Sequence, residues 1–316
     1  MERVVVTLAA FLGALALTPL ARAAAFRWAI VDRPGDLKTQ RVPVAYLGGV
    51  AVFLAAAVGP IVAGEPWLLI PGGLALALGL ADDIRPLPVS VRISAEVTIA
   101  GVAAAGIAGP ALTRVATAVL VLGLLNAVNL LDGQDGLASG TVAVIAVGFA
   151  LLGGAATTVG LALAGALCGF LVFNRPPARI YLGDAGAYFL GTMCALLPSL
   201  TEHAASRWSV WWAVPLLVAV PVVDTAVAIL RRLRAHQPLL VGDRSHVYDQ
   251  LVDRGFTVGR STAIGITAQV IASALGLLAA RSHPGIALAI VVTTAGVVAV
   301  AILRAGFLRP DGVADH

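Results

Sequence analysis

Asn126-Ala127-Val128-Asn129-Leu130-Leu131-Asp132-Gly133-Gln134-Asp135-Gly136-Leu137 is the stretch that decides how this chain folds. An apolar run over about 115–131 enters it and a second, over about 137–152, leaves it, so its polar centre is a turn between two helices. Asn126 and Asn129, three apart, share one helix face. Asp132-Gly133-Gln134-Asp135-Gly136 then breaks the helix into a tight turn bearing two carboxylates. The glycines permit a phosphate or sugar to approach the backbone closely. Capping a helix end would not by itself call for four polar side chains.

Outward from that turn the same pattern recurs along the whole chain. Of its 316 residues, 59% are hydrophobic and only 12% charged, against about 25% charged in a soluble domain; mean hydropathy is +0.95. Apolar runs fall at about 4–24, 46–63, 67–81, 93–108, 115–131, 137–152, 156–173, 185–200, 210–230, 262–280 and 285–303. Turns at Gly64-Glu65-Pro66, Gly109-Pro110, Gly153-Gly154 and Ser282-His283-Pro284 separate them. Backbone in lipid must satisfy its own hydrogen bonds, so the runs read as helices. Several are shorter than the ~20 residues that cross a bilayer and borrow flanking residues. The expected architecture is an all-α polytopic integral membrane protein of about eleven transmembrane helices, one domain over 1–316, with its termini on opposite faces.

Charge assigns the faces. Loops near 22–45, 82–92, 174–184 and 231–260 and the C-terminal tail hold seventeen of the twenty-one Lys and Arg. By the positive-inside tendency that face is cytoplasmic, leaving the N-terminus outside and the C-terminus cytoplasmic. The pI of about 9.6 comes from residues spread among short loops, which argues against nucleic acid as a partner. Cys168 and Cys194 sit in apolar runs without metal-type spacing and read as packing residues. The first run, between Arg3 and Ala21-Arg22-Ala23, imitates a secretory signal, but its length favours a retained helix.

Asp82, Asp83, Asp132, Asp135, Asp184, Asp224, Asp243 and Asp249 all fall at that basic face. Carboxylates at membrane boundaries are costly and usually functional. In Ala81-Asp82-Asp83-Ile84-Arg85, adjacent carboxylates raise each other's pKa or share a cation, unless the motif is only a solvated turn held by Arg85 and Arg92. In Phe173-Asn174-Arg175-Pro176-Pro177-Ala178-Arg179-Ile180-Tyr181-Leu182-Gly183-Asp184-Ala185-Gly186, the prolines force an extended loop. Asp184 there presents a carboxylate before the next span, either as a ligand or as a helix cap, and Tyr181 offers a ring for a base to stack on. Pro221-Val222-Val223-Asp224-Thr225 precedes Arg231-Arg232-Leu233-Arg234 and Asp243-Arg244-Ser245-His246; Asp224 reads as the partner of a nearby arginine. The arginines suit a diphosphate or anionic lipid, and a short helix lying on the membrane would aim His246 at the acidic cluster.

Taken in order, these four motifs resemble the bacterial polyprenyl-phosphate N-acetylhexosamine-1-phosphate transferases, over nearly the whole chain from Asp32-Arg33-Pro34 to Asp243-Arg244-Ser245-His246. The resemblance implies a Mg²⁺-dependent transfer of a sugar 1-phosphate from a UDP-N-acetylhexosamine to a polyprenyl phosphate at the bacterial inner membrane, releasing UMP, as the first lipid-linked step of cell-envelope glycan synthesis. It places Asp82, Asp83, Asp132, Asp135 and His246 in the catalytic set. Asp184, with Asp82, would hold the metal. Lys38, Asn126, Asn129, Asn174, Tyr181 and Arg244 would hold substrate. Oxygen ligands suit Mg²⁺ and two anionic substrates need a cation between them. Direct attack by the lipid phosphate is favoured, a covalent aspartyl intermediate stays open, and a homodimer is left open too.

The chain departs from the family at two loops. His246-Val247-Tyr248-Asp249 lacks two later histidines of the usual His-x-His-His, and Leu37-Lys38-Thr39-Gln40 replaces Arg-Lys-x-His. Asp243-Arg244-Ser245-His246 resembles the N-acetylglucosamine branch more than the phospho-N-acetylmuramoyl-pentapeptide branch, which is the alternative. A transporter would place its acids nearer the midplane and show repeats. A CDP-alcohol phosphotransferase pattern is missing after Asp135-Gly136, and a non-catalytic relative remains a rival because of the missing histidines.

Overall fold

The computed structural model describes residues 1–33, 42–202, 208–238 and 246–309; Lys38, Asp243 and Arg244 lie outside them. Among these residues the chain is helical almost throughout. The helices are α1 (Glu2–Arg27), α2 (Gly48–Ala56), α3 (Val58–Val62), α4 (Leu69–Ile84), α5 (Val89–Gly106), α6 (Ala111–Leu131), α7 (Leu137–Ala150), α8 (Ala155–Asn174), α9 (Gly183–Leu196), α10 (Trp208–Leu217), α11 (Ala219–Arg234), α12 (Val247–Asp253), α13 (Val258–Arg281) and α14 (Pro284–Arg304). Each apolar run of the sequence coincides with one helix or a consecutive pair. Seven helical stretches are long and apolar enough to cross a membrane, or eight if the bent pair α10–α11 is one span.

Two helices form the centre. α8 packs against α1, α2, α3 and α7, and α9 against α2, α4, α6 and α7. Every residue of α9 except Asp184 is buried, so this 14-residue helix is shielded by protein and need not meet lipid along its length. α14 is the opposite case: its side chains are mostly exposed, as an outer helix facing lipid requires.

The run over 210–230, expected as one span, is broken. α10 and α11 meet at Val218 with a bend of 71°. Pro221 has no N–H to give the carbonyl of Leu217, so the helical ladder cannot continue there. Gln269 of α13, fully buried, satisfies the freed groups. Its Nε2 donates to the Leu217 carbonyl at 2.9 Å and its Oε1 accepts the Val220 N–H at 3.0 Å. The bend thereby has a named cause and a named stabiliser.

Short extended segments tie the loops together. Val31–Asp32 pairs antiparallel with Val44–Ala45, and Ala45 bridges Ile180 in parallel. The Tyr181 N–H donates to the Ala45 carbonyl at 2.8 Å, and Gly48 N–H to Tyr181 at 3.0 Å. This ladder holds the segment that leads directly into α9.

Candidate active site

The end of α4 and the start of α9 are built as one unit. Gly79 of α4 lets the two backbones touch: a Cβ there would run into the carbonyl of Asp184. One turn later, Asp83 spends both oxygens on the first turn of α9, accepting the N–H of Asp184 at 2.9 Å and of Ala185 at 3.1 Å. Those amides would otherwise be orphans at a helix start, where a negative charge is also favoured. Asp83 thus acts as a cap from a neighbouring helix and sets where Asp184 stands.

Asp82, buried beside it, accepts the Leu87 N–H at 2.7 Å and pairs with Arg92 at 3.5 Å. Its carboxyl group is also within hydrogen-bonding reach of that of Asp184. Asn129, on the last turn of α6, donates to Asp184 Oδ1 at 2.7 Å. α4, α5, α6 and α9 therefore bring two carboxyl groups, a guanidinium and an amide together.

The turn after α6 supplies the next two acids. Gly136, with φ of 71°, adopts the left-handed conformation that starts α7. Asp135 Oδ2 accepts the Ala178 N–H at 2.8 Å, tying this turn to the proline loop. Burial pushes the Asp135 carboxyl up, and the Ala178 bond opposes the shift. Asp132 receives no hydrogen bond among the described residues. Burial, then the carboxylates of Asp184, Asp83 and Asp135, push its carboxyl well above the ordinary range.

Other expected site residues have structural partners. Asn174 is buried, takes a bond from Ser139 at 2.8 Å and donates to the Ile180 carbonyl at 3.0 Å, closing the proline loop. Asn126 turns away from the acids and donates to Glu96 of α5 at 2.9 Å. Tyr181 is half-buried with its ring 6.1 Å from that of Tyr46; burial, then Asp135, Asp32 and Asp132, push its phenol up. His246 is buried against Asp224, with Nδ1 2.7 Å from Oδ2. Asp224 pairs with His246 where the sequence suggests an arginine, Arg92 does meet Asp82 as one reading of that turn expects, and Glu96 and Gln269 enter only with the structure. A carboxylate in mid-helix, as Glu96 is, was the available signal. Lys38 and Arg244 lie outside the described residues.

A metal ion can be tested against these donors. Among the described residues, no group of three or more histidine, cysteine or acidic side chains is arranged to hold one. Mg²⁺ does not require such a cage, because it usually takes one or two carboxylates and completes its shell with water and substrate phosphate. Asp82 and Asp184, two carboxyl groups brought together where burial disfavours like charges, fit that demand.

Behind the acidic turn lies a mostly apolar cavity of about 200 Å³, lined by Leu131, Val220, Tyr248, Ile264, Ala268 and Val298 among others.

Comparison with known proteins agrees with this picture. The model of a family described as glycosyl transferase family 4 matches residues 66–201, the span from α4 to the end of α9. A putative glycosyltransferase of Streptomyces coelicolor is 33% identical, over 88% of this chain and 70% of its own. A probable undecaprenyl-phosphate N-acetylglucosaminyl 1-phosphate transferase of Bacillus subtilis is 29% identical over 81% of this chain and 79% of its own. A phospho-N-acetylmuramoyl-pentapeptide-transferase of Heliobacterium modesticaldum is 41% identical, but over only 35% of this chain and 34% of its own.

Proposed function

This chain belongs to glycosyl transferase family 4, and from that premise we propose that it transfers N-acetylglucosamine 1-phosphate from UDP-N-acetylglucosamine to a polyprenyl phosphate, releasing UMP. The observation that carries the proposal is the meeting of Asp82, Asp184 and Asn129 from three helices beside the free carboxyl of Asp132. The N-acetylglucosaminyl relatives align over most of the chain and the pentapeptide transferase over about a third, which favours the smaller donor.

In the proposed reaction a lipid phosphate oxygen attacks the β-phosphorus of the donor. A new P–O bond forms, the bond from that phosphorus to the bridging oxygen breaks, and UMP leaves with the electron pair. Asp82 and Asp184 would hold Mg²⁺, which when bound supplies neutralisation of the two anionic headgroups. Asp132 is the best-placed proton acceptor for a protonated lipid phosphate, since no donor in the described chain occupies it. Asp83 acts by fixing α9. Asn129 orients Asp184, and Asp135 holds the proline loop beneath Tyr181, the surface proposed for the uracil. The apolar cavity beside the turn supports a seat for the first prenyl units of the acceptor. The accompanying reading is an eleven-span protein of the bacterial inner membrane with its site cytoplasmic; the basic loops support that sidedness.

The test is direct. Purified protein with UDP-N-acetylglucosamine, undecaprenyl phosphate and Mg²⁺ should release UMP, and chelation with EDTA should stop it. Asp184→Asn and Asp82→Asn should each abolish turnover at an unchanged unfolding midpoint. Wild-type turnover in both variants would defeat the assignment, and a donor panel including the pentapeptide nucleotide would separate the two branches.

A further inference from the structure

Asp224 lies one turn into α11, just past the 71° bend, and is 4% exposed. Both of its oxygens are engaged with one short segment of the late loop. Oδ1 accepts the Val247 N–H at 2.8 Å, and Oδ2 stands 2.7 Å from Nδ1 of His246. The imidazole, 3% exposed, stacks on the ring of Tyr248 with centroids 5.4 Å apart and planes within 7°. The Tyr248 hydroxyl in turn donates to the Leu130 carbonyl at 3.0 Å. That carbonyl is on the last turn of α6, two residues before Asp132. A continuous set of contacts thus runs from the broken helix through the imidazole to the acidic turn.

We propose that Asp224 is a positioning residue for the transfer reaction, fixing the ring of His246 with its proton on Nδ1 and leaving Nε2 as the unprotonated nitrogen. The inference rests on the reading of His246 as a member of the site. An ionised carboxylate can only accept hydrogen bonds, so the nitrogen beside Oδ2 must be the donor. In a neutral ring the other nitrogen then keeps its lone pair, and its role follows from the bond the first one makes. Stacking on Tyr248 removes the remaining freedom, rotation of the ring plane. The burial of both partners protects the arrangement from competition by water.

Asp224→Asn tests this with little change of shape. The amide oxygen can keep the Val247 bond while its NH₂ donates to Nδ1, which drives the ring proton to Nε2. The expected result is a fall of about 10²–10⁴-fold in kcat, with KM for UDP-N-acetylglucosamine changed less than about threefold. Adding Asp224→Asn to His246→Ala should then cost nothing further, because two residues acting through one group are not additive. ¹⁵N NMR of histidine-labelled protein gives a readout apart from turnover. The His246 resonances, identified by their loss in His246→Ala, should report a protonated Nδ1 in the wild type and an Nε2–H tautomer in Asp224→Asn. Wild-type turnover in Asp224→Asn, losses that multiply in the double variant, or an unprotonated Nδ1 in the wild type would each overturn the proposal. Should Asp224→Asn not fold, the wild-type spectrum decides alone. A wild-type protein that makes no UMP would sink the transferase reading while the spectrum still judged the tautomer.

Discussion

Gly79→Ala adds one methyl group to a residue that touches no substrate, yet it should disable the site. The new Cβ would collide with the carbonyl carbon and oxygen of Asp184 and the nitrogen of Ala185. All three are backbone atoms, so no rotamer change relieves the contact, and α4 and α9 must part by about an ångström. The bonds of Asp83 to the Asp184 and Ala185 amides, now 2.9 and 3.1 Å, would then be stretched past useful length. Overpacking of this kind costs about 1–3 kcal/mol, offset by the ~1 kcal/mol that Ala gains over Gly in a helix. Net destabilisation is therefore modest, about 0–2 kcal/mol, while a misplacement of about 1 Å at the reacting groups costs about 10²-fold in rate. The control is Gly73→Ala on the same helix, whose Cβ would meet only the Phe53 ring at 3.8 Å, an ordinary contact. UMP release and thermal unfolding in detergent, measured on both variants, separate the effects. Gly73→Ala should turn over normally and melt no lower than wild type. If Gly79→Ala retained wild-type turnover, or if both variants fell equally, the argument that Asp184 is seated by close backbone contact would be refuted.

Two further outcomes follow from particular bonds. Gln269→Leu removes the groups that satisfy Leu217 and Val220 at the bend, together with a bond to Ser273 at 3.0 Å. At about 0.6 kcal/mol per bond within membranes, and up to ~1.7, it should lose about 2–5 kcal/mol in detergent unfolding, and equal stability would contradict the account of the bend. Asp132→Asn should raise the unfolding midpoint of the metal-free protein at neutral pH while abolishing UMP release. The folded-state carboxyl titrates above 3.8, the ordinary value, so the folded chain holds that proton more tightly and its stability falls as pH rises from 3.8 through the raised value. A neutral amide escapes that loss, and a variant that melted lower at neutral pH would count against the shift.

How much of this could be read in advance depended on the kind of information each feature needs. Helix positions are local, so every apolar run met a helix, and the polar turn at Asp132–Gly136 lies where its glycines and acids required. The convergence of Asp82, Asn129 and Asp184 could be anticipated only from motif order and a common face, because their partners are up to about a hundred residues away. Partner identity was beyond reach. Asn126 and Asn129 share a face by spacing, yet Asn126 finds Glu96 and Asn129 finds Asp184, since adjacent turns of α6 meet different neighbours. The break at Val218 had a local cause in Pro221, but proline in membrane helices is often tolerated. What made it a true bend was Gln269, about fifty residues later.

The same pairing logic gives the four central acids different roles. Like charges gathered under burial repel, and each must be compensated or stay protonated. Asp83 spends both of its oxygens on two backbone amides, which gives it a structural task in seating α9. Asp82 has one amide and Arg92, and Asp184 has Asn129; each partner leaves its carboxyl with further lone pairs for a cation. Asp132 has no such partner among the described residues, which leaves its carboxyl open to a proton. A site that needed four interchangeable carboxylates would spread its donors evenly. This one gives Asp83 two amides of α9, Asp82 an amide and a guanidinium, Asp184 one side-chain amide, and Asp132 no donor among the described residues. Division of labour among the aspartates therefore follows from the donors that meet each one, α9 amides at Asp83, Arg92 of α5 at Asp82 and Asn129 of α6 at Asp184, and not from the acids themselves.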